Sequence, residues 1–279
     1  MISKIVVAGA GTMGSGIAMT CALNGFEVIL YDPFENAIQK GAGYIEDSLN
    51  IFVSKNKLTS TEKEEVQRRI VYTSQINDCK ADLVIEAIVE SAPVKIELFN
   101  KLNAINKSDS IFVSNTSSLS ISGIQKEVPN PGRVAGLHFF NPAHLMKLVE
   151  VIKGEGTSQQ VIETLVQFCT DLKKTSVVCK DAPGFIVNRV ARHYYLEAFR
   201  IVENELADFE TIDAVMESTG FKMGPFRLMD MIGMDINLAV SRSLFHAFEE
   251  ERFRPSVIQE KKVEQGDLGR KTGKGFYNY

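Results

Sequence analysis

The tightest constraint on the fold lies in the first thirty-two residues. Ile5 to Ala8 is an apolar, mostly β-branched run that stops at Gly9-Ala10-Gly11-Thr12-Met13-Gly14. Beyond it Met13, Ile17, Cys21 and Ala22 fall on one helical face, and Asn24-Gly25 closes that helix. The order is strand, glycine turn, helix. Gly9 permits a tight turn, Gly11 lets the backbone approach a pyrophosphate, and Gly14 lets helix and strand pack closely. The helix N-terminus adds unpaired N–H groups and positive potential. A second strand, Val28 to Tyr31, delivers Asp32 eighteen residues beyond Gly14, where a carboxylate accepts both ribose hydroxyls of an adenosine. Dinucleotide binding is the expected role, with Asp32 also a candidate helix N-cap ahead of Pro33.

Asp32 bears on which dinucleotide. Its charge opposes a 2′-phosphate, and no Arg or Lys lies within Pro33 to Gln39 to receive one. Two unit charges about 4 Å apart interact by roughly 4 kcal/mol at an effective dielectric near 20, so even a screened fraction discriminates. NAD is favoured over NADP.

Ile38, Ala42, Ile45, Leu49 and Phe52 mark a long amphipathic helix, and Thr59 with Glu62 reads as the capping box of another. Ser48 and Lys55, seven apart, share a face of the first; a solvated face is their default reading. Further strands follow at Ile70 to Thr73, Leu83 to Ile85 and Ile111 to Val113, with a helix beginning at Pro93. Strands alternating with helices imply a parallel sheet, and in such sheets ligands sit beyond the carboxyl ends of strands. Glu86 and Glu90 leave one such end, with Lys95 in the next helix. Asn115 and Ser117 leave another, inside the hydroxyl-rich turn Ser114 to Ser120, one of whose hydroxyls is expected to cap a helix at Ile121.

The stretch Val134 to Val151, VAGLHFFNPAHLMKLVEV, reads as strand, Pro-broken loop and strand. If the loop folds back, His138 and Glu150 meet as a proton-shuttling pair. Ser158 to Leu172 is an amphipathic helix and Ser176 to Cys179 a last short strand. After DAPGF, Asp181 to Phe185, helices take over: Ile186 to Glu205, Phe209 to Thr219 and Met231 to Glu250. Asn188 lies in the first turn or so of the first of these. On composition alone the tail, LGRKTGKGFYNY, passes for a mobile basic end. The expected architecture is an α/β Rossmann-like, mostly parallel sheet with an inserted helical pair at 1–183, then an all-α domain at 184–279, with a substrate cleft expected at the domain junction.

Composition closes off other classes. A net charge of −4, with lysines interleaved among acids, argues against nucleic acid. The four cysteines, at 21, 79, 169 and 179, form no CxxC pair and no metal-site spacing, so no metal is expected and reduced, buried thiols are. No signal-peptide pattern opens the chain and no run approaches the ~18 apolar residues of a membrane helix. A cytoplasmic protein is expected.

Several motifs in order resemble those of the L-3-hydroxyacyl-CoA dehydrogenase family, its short bacterial 3-hydroxybutyryl-CoA dehydrogenases in particular: GAGTMGSGIA, DLVIEA, SNTSSLSI, HFFNP followed by MKLVEV, APGFIVNR, MGPF and the closing GRKTGKGFY. The resemblance covers essentially the whole chain. It implies that His138 is the catalytic base and Glu150 its partner, with Ser117 and Asn188 at the substrate's reacting end. Gly9, Gly11, Thr12, Met13, Gly14, Asp32, Glu90, Lys95 and Asn115 look like cofactor contacts. Ser48 and Lys55 match the helix that receives coenzyme A, which overrides the solvated-face reading, and the resemblance implies a homodimer or higher homo-oligomer formed through the helical domain at 184–279. The family usually has proline where His144 stands; an exposed mid-loop histidine is expected there, with the chemistry kept at His138.

Overall fold

The computed structural model describes residues 2–279, which divide into two compact units between Asp181 and Ala182. The first unit contains, in chain order, β1 (Lys4–Ala8), α1 (Thr12–Leu23), β2 (Glu27–Tyr31), α2 (Glu35–Ser54), α3 (Ser60–Arg68), β3 (Ile70–Thr73), β4 (Leu83–Glu86), α4 (Ala92–Ile105), β5 (Ile111–Ser114), α5 (Ile121–Gln125), β6 (Val134–Phe139), β7 (Leu148–Lys153), α6 (Gln159–Asp171) and β8 (Thr175–Lys180). The strands form one sheet in the order β3-β2-β1-β4-β5-β6-β7-β8. From β3 to β6 every pairing is parallel; β7 runs antiparallel to β6, and β8 runs parallel to β7.

Alternate side chains along β1 divide between two cores, as strand geometry requires. Ile5 and Val7 join residues of α1, α2 and α6 on one face, while Val6 and Ala8 join Leu98, Phe99 and Leu102 of α4 on the other. A sheet covered on both faces explains why its central strands are continuously apolar.

Local signals act as their chemistry predicts. The Thr59–Glu62 capping box is formed, and the Ser120 hydroxyl accepts from the Gly123 amide at the start of α5. Asp32 behaves differently from the helix-cap reading. Its carboxylate accepts from the Phe34 amide at 3.0 Å, a two-residue turn, and α2 starts only at Glu35, so Pro33 is outside the helix. The other carboxylate oxygen accepts from the Ala10 amide at 2.9 Å and ties the second strand's end to the glycine turn.

The second unit is helical: α7 (Val187–Glu203), α8 (Phe209–Ser218), α9 (Pro225–Ile232), α10 (Met234–Phe248) and α11 (Val257–Glu264). The expected single helix from Met231 to Glu250 is instead broken at Gly233, whose φ of 106° no helix accommodates. The tail also departs from its composition. Asp230, 1% exposed, accepts from the amides of Phe276 and Tyr277 and from the Tyr279 hydroxyl, while Asp213 accepts from the Tyr277 hydroxyl. Phe276 packs edge-on against Phe226 at 4.7 Å between ring centres. Two buried carboxylates and an aromatic slot therefore bind the last residues into the core. Among the described residues, no helix is long and apolar enough to cross a membrane.

Candidate active site

The carboxyl ends of β1, β2, β4, β5 and β6 converge on one edge of the first unit's sheet. At the end of β1, Gly9 has a φ of 110°, and a Cβ there would lie 2.5 Å from the Ala87 carbonyl oxygen. Only glycine fits that turn. A Cβ at Gly11, by contrast, would meet nothing within 4 Å. Gly11 is also the N-cap of α1 and provides no side-chain cap, so the first amides of this helix are left without one. Thr12 is exposed and Met13 half-buried beside it. An anion held by backbone N–H groups, with the Asp32 carboxylate at the neighbouring strand end, matches the demands of a dinucleotide's pyrophosphate and ribose.

Beyond β4 and β5 lies an ion cluster. The Lys95 ammonium, 1% exposed, reaches Glu86 at 2.6 Å and Glu90 at 3.2 Å. Glu86 is fully buried and also accepts from the Ser114 hydroxyl and the Ile88 amide. Burial pushes its carboxyl upward, with Lys95 opposing. For Glu90 burial acts in the same sense, but Lys95 and the Thr116 hydroxyl outweigh it and hold the carboxyl below its ordinary range. Glu90 further accepts from the Ser117 amide at 3.1 Å and the Ser118 hydroxyl at 3.0 Å. The cluster thus fixes the turn that carries Ser117. Lys95 presents no ammonium to solvent; it acts on this edge through the two carboxylates.

Asn115 performs a similar task one strand over. Its amide oxygen accepts from the Phe139 N–H at 2.8 Å and pins the end of β6 next to β5. That places His138, because β6 and β7 form an antiparallel pair in which His138 and Glu150 are direct register partners. The loop folds back, and His138 Nδ1 lies 2.8 Å from Glu150 Oε2. His138 is 6% and Glu150 1% exposed, and the Phe140 ring sits 4.5 Å from the imidazole. A proton on Nδ1 directed at the carboxylate puts the ring's lone pair on Nε2, the atom suited to take up a proton.

The remaining candidates lie on other elements. Ser48 is buried in α2, whereas Lys55 is the exposed C-cap of the same helix. Asn188 lies half-buried in the first turn of α7, in the second unit. His144 is not the exposed loop residue expected. Its ring meets Phe52 edge-on at 5.5 Å and Tyr44 at 6.5 Å, and its Nδ1 is buried with no hydrogen-bond partner among the described residues. Sequence reasoning also passed over Lys174, which donates to the carbonyls of Ala143 and Met146; a lysine at a helix-to-strand turn carries no signal of that contact. Of the cysteines, Cys21, Cys79 and Cys169 are buried thiols and Cys179 is half-buried, all unpaired. Among the described residues no group of three or more His, Cys, Asp or Glu is arranged to hold a metal ion.

An uncapped helix start after a glycine turn, a carboxylate at the neighbouring strand end and a buried imidazole–carboxylate pair along one sheet edge place the chain among the dinucleotide-dependent dehydrogenases. Comparison with known proteins narrows the class. Residues 4–182 match the family model described as 3-hydroxyacyl-CoA dehydrogenase, NAD binding domain, and residues 184–279 match the model of that family's C-terminal domain. The chain belongs to the 3-hydroxyacyl-CoA dehydrogenase family. It is 45% identical to a 3-hydroxyadipyl-CoA dehydrogenase of Escherichia coli over 281 residues, all of this chain and 59% of that relative's length. It is 40% identical to a probable 3-hydroxybutyryl-CoA dehydrogenase of Deinococcus radiodurans, covering 99% of this chain and 100% of the other. The crystal structure of (S)-3-hydroxybutyryl-CoA dehydrogenase from Ralstonia eutropha superposes with a TM-score of 0.95 at 37% identity, over 100% of this chain and 99% of that one.

Proposed function

We propose that the protein interconverts short-chain L-3-hydroxyacyl-CoA and 3-ketoacyl-CoA, 3-hydroxybutyryl-CoA and acetoacetyl-CoA first among them, with NAD. The observation that carries the reading is the 2.8 Å pairing of His138 Nδ1 with Glu150 at the sheet edge that also holds the dinucleotide cradle. In the oxidative direction the 3-hydroxyl proton passes to His138 Nε2 while the C3 hydrogen leaves as hydride and the C3–O bond becomes a carbonyl. Bound NAD supplies the hydride acceptor. Glu150 keeps the imidazole in the required tautomer and stabilises the imidazolium. Reduction reverses each step.

Gly9, Gly11, Thr12, Met13 and Gly14 would hold the pyrophosphate and Asp32 the adenosine ribose. Glu90 and Asn115 would meet the nicotinamide side, with Lys95 acting through Glu90. Ser117 and Asn188 take the substrate's reacting end, and Ser48 and Lys55 of α2 the coenzyme A portion. Similarity to proteins named for 3-hydroxybutyryl-CoA and 3-hydroxyadipyl-CoA supports an acyl-CoA substrate. The setting would be cytoplasmic, in fatty acid β-oxidation or butanoate metabolism, with a homodimer or higher assembly built on the second unit. The rival is a non-catalytic NAD-binding protein of the same fold.

NADH and, separately, NADPH absorbance followed with acetoacetyl-CoA, longer 3-ketoacyl-CoAs and 3-oxoadipyl-CoA tests the activity, its substrate and its cofactor. Turnover of acetoacetyl-CoA with NADH at least tenfold above NADPH is expected. Absence of turnover with every thioester would overturn the reading in favour of the rival.

A further inference from the structure

The loop between β6 and β7, Phe140 to Lys147, is the connection that makes His138 and Glu150 register partners, and it is gripped from two sides. From one side, the Lys174 ammonium, half-buried in the turn between α6 and β8, donates to the Ala143 carbonyl at 2.6 Å and the Met146 carbonyl at 2.7 Å. The neighbouring Thr175 amide donates to the Lys147 carbonyl at 2.8 Å. From the other side the loop meets helices. Ala143 is buried against α1, where a Cβ on Gly16 would lie 3.4 Å from its own Cβ. His144 sets its ring edge-on to Tyr44 and Phe52, one turn before and one turn after Ser48 on α2.

A contact this well packed has two directions. Anything that orders α2 orders His144, and through the loop's few bonds the two strand ends that carry His138 and Glu150. We infer that His144 and Lys174 are positioning residues which couple α2 to the His138–Glu150 pair, so that binding of the coenzyme A portion at α2 raises the rate of the chemical step. The inference rests on the reading that α2 receives coenzyme A and that His138 is the base. Its physical basis is general: binding energy from a remote part of a substrate raises kcat only when it is transmitted to the reacting centre. Between the helix and the pair, this loop is a contiguous path of packed and hydrogen-bonded groups.

The histidine's chemistry suits the task. Burial, with Lys174 adding to it, holds His144 below the ordinary histidine range. The ring is then a neutral aromatic wedge at neutral pH, and its buried Nδ1 is not asked to carry a proton.

The test compares kcat on acetoacetyl-CoA with kcat on acetoacetyl-pantetheine, which has the same reacting end and lacks the nucleotide. In the unaltered enzyme the ratio should be about tenfold or more, as remote binding energy predicts. His144→Ala and Lys174→Met should each lower kcat on acetoacetyl-CoA by roughly 10- to 100-fold, the scale of an ångström-sized misplacement of reacting groups. They should change kcat on the pantetheine thioester far less, so that the ratio falls towards one. Lys174→Arg, which keeps a donor for the two carbonyls, should restore most of the ratio. A merely structural role would depress both substrates equally and leave the ratio where it was, which would overturn the inference. Two controls separate its failure from failure of the reading beneath it. Loss of activity in His138→Gln and a raised acetoacetyl-CoA KM in Lys55→Ala, with ratios unchanged in the loop variants, would refute the coupling alone. A ratio of one in the unaltered enzyme would likewise refute the coupling alone, whereas full activity in His138→Gln, or an unchanged acetoacetyl-CoA KM in Lys55→Ala, would remove the base or the coenzyme A site and the coupling with it.

Discussion

His138 and Glu150 face each other across the one antiparallel pairing that breaks the parallel run of the sheet, with Nδ1 and Oε2 2.8 Å apart. A parallel crossover would have carried the carboxylate to a neighbouring strand in the same direction, a dozen or more residues further along the chain. The hairpin instead gives a buried imidazole a buried carboxylate as its direct partner, which fixes the tautomer without reliance on water.

Glu150→Gln tests that partnership. The amide has nearly the shape of the carboxylate but no charge with which to stabilise an imidazolium, and it can present its NH2 to Nδ1 and favour the other tautomer. The expected result is a fall in kcat of roughly 10²–10⁴, the range of a positioned acid–base group, at unchanged NADH affinity. A fall of less than threefold would contradict the role given to Glu150.

Lys95→Met tests the buried cluster at the ends of β4 and β5. Removing one partner of a buried ion pair leaves the other uncompensated, a loss of about 3–5 kcal/mol. For a unit of this size the melting temperature should drop by about 6–20 °C. Calorimetric scans of the variant and the unaltered protein measure it; equal melting temperatures would show that Glu86 and Glu90 are accommodated without the ammonium.

His144→Phe tests the wedge through pH. The folded-state pKa of His144 lies below its ordinary value because of burial and Lys174. The unfolded chain therefore binds more protons than the folded one as pH falls through 6.5, and stability decreases in that direction. The contribution is fully present above that pH and is lost below it. Phenylalanine keeps the ring and cannot titrate, so urea midpoints of the variant should fall less between pH 7 and pH 5 than those of the unaltered protein. Parallel pH dependences would exclude a buried neutral imidazole.

Much of the first unit was legible because its signals are local. The glycine turn, Thr59 with Glu62, and Ser120 each act within a few residues of themselves, and spacing alone reveals them. The hairpin was legible as a condition, since the separation of His138 and Glu150 fits a strand pair once the loop turns back. What sequence could not show depends on distant partners. The tail reads as loose until Asp213 and Asp230, some fifty residues upstream, supply its hydrogen bonds. His144 reads as exposed until α2, about ninety residues earlier, covers it with two aromatic rings. The break at Gly233 is hidden because apolar spacing continues through a residue whose backbone leaves the helical region.

The most direct test of the central claim is His138→Gln, with kcat measured on acetoacetyl-CoA and NADH affinity measured separately by fluorescence titration. Because it assigns proton transfer to the imidazole and cofactor binding to the glycine turn, the account predicts a kcat lower by roughly 10²–10⁴ with NADH binding nearly intact. A variant that turns over acetoacetyl-CoA at the unaltered rate would contradict it.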